Sequence, residues 1–176
     1  MLPYTGVEPL GESFLKATEA AAQVMGVRLQ VLRIVEPADL AGAFQAASQG
    51  HAGAVIILAN PFFSVHAARV AELALKYRLP TIGSTAQAVE AGFFMAYESN
   101  IPDLWRRAAT YVDKILKGAK PADLPIEQHT KFDLVINRKT AKALGLTIPR
   151  SLLLCADQII DGERGGLPQD PAQGRC

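Results

Sequence analysis

The 176-residue sequence is poor in the features that mark most chemistries. It has no G-x-S-x-G elbow of a serine hydrolase, no G-x-G-x-x-G dinucleotide fingerprint and no G-x-x-x-x-G-K-[ST] phosphate loop. No nucleophile–base pair is visible, so the chain reads as a non-enzyme. Only three histidines are present, and His51, His66 and His129 share no spacing with Cys, Asp or Glu that would hold a metal. All three read as surface residues, and no cofactor or metal is expected. The two cysteines, Cys155 and Cys176, also fit no metal motif. Cys155 lies in an apolar stretch and reads as a small buried hydrophobe, whereas Cys176 ends a Gly/Pro/charged tail. An oxidising compartment would allow a disulfide between them, but nothing in the sequence requires one. No apolar run is long enough to span a membrane. The start, MLPYTGVEPLGESF, has no basic n-region and no apolar h-region, so it does not read as a signal peptide, and taken literally the chain would stay in the cytoplasm. The formal net charge is +1 with both signs interspersed, which leaves no footprint for nucleic acid or an anionic membrane.

What is present is an alternation of strands and helices with short joins, which predicts an α/β fold with a doubly wound, mostly parallel sheet. Residues 3–11 read as loop and 12–25 as a helix with Phe14, Leu15, Thr18, Ala21, Ala22 and Met25 on one face, stopped by Gly26. Residues 27–35 alternate as a strand, and 37–49 form a helix with Leu40, Phe44 and Ala47 inward. The run AVIIL at 54–58 is apolar throughout, as in a strand covered on both faces. A turn at 60–64 precedes a helix over 65–77 with Ser64 as its cap. A brief strand at Thr81–Ile82, a helical turn over 87–91 and an apolar strand over 93–97 follow. Asn100 caps a helix running to about Lys117, with Leu104, Ala108, Tyr111, Val112 and Ile115 as its apolar face. Residues 132–136 alternate as a half-solvated edge strand, 138–144 and 151–160 read as short helices, and 161–176 as a disordered tail.

Ligands in open α/β sheets sit at the carboxyl ends of the strands, and this selects three loops. In the first, Asn60 can donate and accept, Phe62 and Phe63 offer flat apolar surface, and Ser64 opens a helix whose N–H groups suit a carboxylate. The alternative is that one Phe fills the core and Ser64 only caps. In the second, Ser84 and Thr85 carry hydroxyls for a ligand or for the turn itself. In the third, after Tyr97, Glu98 would pair with a ligand ammonium or serve as a solvated hinge residue.

The block KGAKPADLPIEQHTKFDLVINRKTAKALGLTIPRSLLLCADQII (117–160) carries a resemblance, supported upstream in order and spacing by FLKATEAAAQVMG, ANPFF, LPTI, VEAGFFMAY and LWRRAATYVDKILKG. Together they resemble the substrate-binding proteins of bacterial ABC importers, in the group with tryptophan- and tyrosine-binding members. The resemblance implies a type I periplasmic binding fold, represented here by its C-terminal half. Residues 1–99 would be the second lobe lacking its first strand, which Met1–Leu2 cannot replace, and 100–160 the segment crossing back to an absent first lobe. It further implies a small-molecule ligand such as an amino acid in an interlobe cleft, an ABC permease as partner and a periplasmic location. Where relatives carry Gly after the Tyr, this chain has Glu98, which implies a changed backbone or mild strain. The apolar faces left without the first lobe predict self-association or docking back on the remaining lobe. A small α/β enzyme would need a titratable pair at the strand ends, and only Glu98 and His66 come near. A regulator's sensory domain shares the fold, but no DNA-binding helix pair or basic segment accompanies it.

Overall fold

The computed structural model describes residues 2–3, 8–128 and 130–161, with side-chain surroundings from residue 12 onward. The expectations for His129, Cys176 and the tail 162–176 lie outside the described residues. Strand and helix alternate as expected: β1 Leu2–Pro3, α1 Glu8–Met25, β2 Arg33–Ile34, α2 Asp39–Gln49, β3 Val55–Ile56, α3 Pro61–Val65, α4 Ala67–Lys76, β4 Thr81–Gly83, α5 Ala86–Glu90, β5 Met95–Ser99, α6 Ile101–Leu116, β6 Phe132–Asn137, α7 Arg138–Leu144, α8 Arg150–Leu154 and β7 Gln158–Ile160. Five strands form the main sheet in the order β3-β4-β5-β6-β7, and β1-β2 form a separate parallel pair. β3, β4 and β5 are mutually parallel, β6 runs antiparallel to β5, and β7 is parallel to β6.

The core lies between α2, α4, α5 and the sheet. Leu40, Phe44 and Ala47 of α2 are buried, as their helical spacing predicts. They meet Val70, Leu73 and Ala74 of α4, Val89 of α5, Phe93 of the loop before β5, and Ala96 and Val135 of the sheet in one cluster. Each large apolar side chain withdrawn this fully from water contributes roughly 2–3 kcal/mol before the cost of ordering the chain.

Several elements differ from the sequence reading, each for a local reason. The strand expected over 27–35 is confined to Arg33–Ile34, because only Leu2–Pro3 lies alongside to pair with it. Pro3, read as the start of a loop, is thus part of a two-residue strand in a sheet separate from the main one. α1 begins at Glu8 rather than residue 12, and of its described side chains only Ala22 is buried, while Phe14 and Met25 are exposed. β3 is not covered on both faces, since Ile56 is 40% exposed while Val55 and Ile57 are buried. Asn60, not Ser64, caps the helix after β3, accepting from Phe62 N–H at 2.8 Å, and the helix breaks at His66 before resuming at Ala67. His66 is half-buried, its ring 4.7 Å from that of Phe62, rather than a surface residue. The strand over 93–97 is shifted to Met95–Ser99, so Tyr97 and Glu98 lie within β5 rather than in a loop. β6 is no edge strand, being paired on both sides, and Val135 and Ile136 are buried. The helix expected over 151–160 stops at Leu154, and its second part is β7. Cys155, at the end of α8, is half-buried rather than buried.

α6 is amphipathic and has no buried residue. Its predicted cap holds, with Asn100 Oδ1 accepting from Asp103 N–H at 2.8 Å. Asp103 serves its own helix, pairing with Arg106 and Arg107 at 3.0 and 3.3 Å. Residues 121–127 fold across part of the apolar face, where Tyr111 Oη donates to Pro125 O at 2.6 Å and Arg107 meets Glu127 at 3.0 Å. Desolvation and the nearby Glu127 carboxylate raise the Tyr111 phenol above its ordinary value, with Arg107 opposing. Trp105, Val112 and Leu116 are exposed.

Candidate functional site

The parallel strands β3, β4 and β5 all end on one side of the sheet, and the elements that follow β3 and β4 converge there. Asn60 sits in extended conformation (φ −158°), which lets its side chain turn back on Phe62 N–H and start α3 with Pro61 in the first turn. Thr85 plays the same part for α5, accepting from Ala88 N–H at 3.3 Å from an extended backbone. Between these two caps lies a small depression of about 20 Å³. Asn60, Phe63 and Ser64 line one side, and Gly83, Ser84 and Thr85 the other. Its floor is apolar, formed by Ile57, Ala88 and Phe93. Gly83 admits the floor, because a Cβ there would come within 2.9 Å of the Phe93 ring.

The sequence-predicted residues divide by position. Asn60, Phe63, Ser64 and Ser84 share the depression. Phe63 is 4% exposed and so belongs to the Asn60 side and the core at once. Phe62 does not line it, and its ring packs edge-on to Phe63 at 5.3 Å and against His66. Tyr97 lies apart on β5, 60% exposed, stacked at 5.2 Å on Phe132 of β6. The pair is diagonal in the antiparallel ladder, where Tyr97 faces Leu134 and Ser99 faces Phe132.

Glu98 differs most from expectation. Its backbone is not strained, since among the described non-glycine residues only His51 and Arg78 have positive φ. It is half-buried rather than a solvated hinge residue, and its Oε2 accepts from Ala86 N–H, the first residue of α5, at 2.8 Å. The carboxylate thus takes up an N–H that a helix start leaves unpaired.

Two structural residues escaped the sequence reading. Asn137 is buried at the end of β6, where its Nδ2 donates to Val89 O and its Oδ1 accepts from Thr140 N–H, both at 2.9 Å. An Asn directly ahead of a short helix was the available signal. Asp133 receives both its contacts from Asn100 Nδ2, at 3.0 and 2.7 Å, and so ties β6 to the start of α6. Among the described residues no group of His, Cys, Asp or Glu could hold a metal ion, and no helix is long and apolar enough to cross a membrane.

The family model of ABC transporter substrate binding proteins matches residues 5–160. The chain belongs to that family. The family is one of non-catalytic solute-binding proteins. Among curated proteins, none matches the sequence. Solved structures match well. A conserved domain protein from Vibrio cholerae O1 biovar El Tor is 25% identical with a TM-score of 0.74, covering 90% of this chain and 53% of its own. An ABC domain from Streptococcus pneumonia in complex with L-Trp is 24% identical with a TM-score of 0.75, covering 90% and 54%. A ligand-free, open substrate-binding protein with adhesive properties from Clostridium difficile is 19% identical with a TM-score of 0.70, covering 85% and 50%. The chain therefore spans about half the length of these relatives, and it is an α/β domain resembling one lobe of the type I periplasmic binding fold.

Proposed function

We propose that this substrate-binding family member supplies one wall of an interlobe cleft that captures a small solute such as an amino acid for an ABC permease, outside the cytoplasm. The observation that carries the reading is the depression between the β3 and β4 ends. It is built as a binding wall, with Asn60, Ser64 and Ser84 as polar contacts over an apolar floor. Yet its volume of about 20 Å³ admits little more than one water. A solute of amino-acid size needs an opposing wall, and the structural relatives carry about as much chain again as is matched here. That an ABC domain among them holds L-Trp supports an amino acid as the solute class. Tyr97 with its exposed ring, Glu98 and Phe62 lie outside the depression and are proposed as further contacts of the solute.

In this reading residues 1–99 form the second lobe and 100–160 the segment that meets the first. The exposed Trp105, Val112 and Leu116 of α6 are then contact surface for that lobe. Closure follows from a ligand that bonds both walls, because only then does binding favour the closed form.

Titration calorimetry of the 176-residue chain against L-tryptophan, L-tyrosine and the other amino acids tests this. No affinity tighter than millimolar is expected from one wall alone. Micromolar or tighter binding would overturn the two-wall reading. Where weak binding is followed by amide shifts, they centre on Asn60 and Ser84 and vanish in Ser84→Ala, whereas shifts confined to the α6 face would place the solute elsewhere.

A further inference from the structure

Asn100 stands where β5 ends and α6 begins, and it is bonded on three sides. Its Oδ1 accepts from Asp103 N–H at 2.8 Å and caps α6. Its backbone N–H donates to Lys131 O at 3.0 Å, where the chain comes back to β6. Its Nδ2 donates to both carboxylate oxygens of Asp133, at 3.0 and 2.7 Å. The cap would serve any helix start. The bond to Asp133 serves no capping purpose, because Asp133 belongs to β6 and lies opposite Glu98 in the ladder. Asp133 is half-buried, and no Lys, Arg or His among the described residues ion-pairs with it. Its charge is answered by the Asn100 amide, and a hydrogen bond to a carboxylate is among the stronger kinds.

Little else fixes the direction of α6. None of its residues is buried. Arg107 pairs with Glu127 and Tyr111 with Pro125 O, which bind the helix to the chain that follows it and not to the sheet. Among the described residues, Asn100 alone supplies a side-chain bond from this segment to the sheet. A helix of 16 residues is about 24 Å long, so a tilt of about 10° at its start carries the far end about 4 Å. We propose that Asn100 is a positioning residue: through Asp133 it fixes the direction in which α6 leaves the sheet, separately from the cap that starts the helix. The functional sense of the bond rests on the two-wall reading above. There the segment that α6 opens meets the opposing wall, so the bond sets the angle between the walls before a solute arrives.

The two side-chain roles of Asn100 separate in Asn100→Asp. Aspartate caps a helix as well as asparagine does, but it lacks the amide donor and sets a second carboxylate against Asp133. Adding Asp133→Asn reverses the pair, with the amide now on β6, and restores one bond at the parent's net charge. Backbone amide order parameters of the 176-residue chain read the result, with β5 and β6 as the internal standard. In the parent, α6 is expected at about 0.85, equal to the sheet. In Asn100→Asp it is expected to fall to about 0.6 with the helical shifts of α6 retained, and in the double variant to return. A parent α6 less ordered than the sheet would overturn the proposal. So would an α6 in Asn100→Asp as ordered as the parent's, or a double variant no more ordered than the single one. Loss of the helical shifts in Asn100→Asp would overturn it too, because cap and direction would then not be separate. None of these readouts involves a solute, so their failure leaves the solute reading standing, and a failed titration with amino acids leaves the positioning role of Asn100 in place.

Discussion

The Glu98 carboxylate accepts the Ala86 N–H at 2.8 Å, so a side chain from β5 holds the first residue of α5 in place. A carboxylate at a helix start bonds an otherwise orphaned donor and meets the positive end of the helix. Glu98→Ala is expected to lower stability by about 1.5–3 kcal/mol, the range for a hydrogen bond to a charged group, and Glu98→Gln by less, because an acceptor oxygen remains. Urea midpoints of the three proteins check this.

Asn137 joins three elements from one buried position. Its amide donates to Val89 O in α5 and accepts from Thr140 N–H in α7 while its backbone ends β6. Asn137→Ala leaves the buried Thr140 N–H without its acceptor and takes from Val89 O one of its two donors, the Gly92 N–H remaining, and should cost about 1–3 kcal/mol. Asn137→Asp keeps the acceptor for Thr140 but sets an oxygen against Val89 O, so it should be no better at neutral pH. Denaturation midpoints decide.

Gly92 has φ +117°, where only glycine sits without strain, and a Cβ there would lie 2.9 Å from the Ala71 methyl. Gly92→Ala should cost about 2 kcal/mol. Ala71→Gly on top of it should relieve the overlap yet leave the φ penalty, so recovery will be partial. Thermal unfolding of the single and double variants reads the split.

Asp39 opens α2 and accepts from Val35 N–H and Glu36 N–H at 2.9 and 3.0 Å. These bonds favour the carboxylate and lower its pKa from 3.8, with the Glu36 bond the larger cause. A group whose folded value is depressed stabilises the fold above its unfolded value, and the contribution fades as pH falls through the folded one. Asp39→Ala should therefore be less stable than the parent at pH 7, and the gap should narrow below about pH 4. Urea midpoints taken from pH 7 to pH 2.5 follow the narrowing.

Much of this fold was legible in the chain, and the exceptions share a cause. α2 was read from local spacing because Leu40, Phe44 and Ala47 repeat on one helical face and are buried there. The caps at Asn60 and Thr85 are local too, but Asn60 was passed over for Ser64, since an Asn ahead of Pro61 serves as loop and cap alike. What could not be read was pairing. The alternation at Val27, Leu29 and Val31 promises a strand, and a strand exists only where a neighbour lies alongside, which here begins at Arg33. β6 looked half-solvated because Asp133 alternates with apolar neighbours, but Asn100 satisfies that carboxylate and leaves Val135 and Ile136 free to be buried. At the site, strand-end topology led to Asn60, Phe63, Ser64 and Ser84 in one depression. It did not foresee that Glu98 would be engaged by Ala86, because that contact spans twelve residues and depends on how α5 leans on β5.

The excursion from β5 to β6 leaves and returns at one point: Asn100 N–H donates to Lys131 O at 3.0 Å, and Ser99 faces Phe132 across the ladder. The described residues between form an arm rooted where the two strands part, and none of α6 is buried in the body it springs from. The arm is thus a cassette. Cut out and replaced by a tight turn, it would leave a β5–β6 hairpin already in register, and the body would keep its core while losing the surface that reaches beyond it.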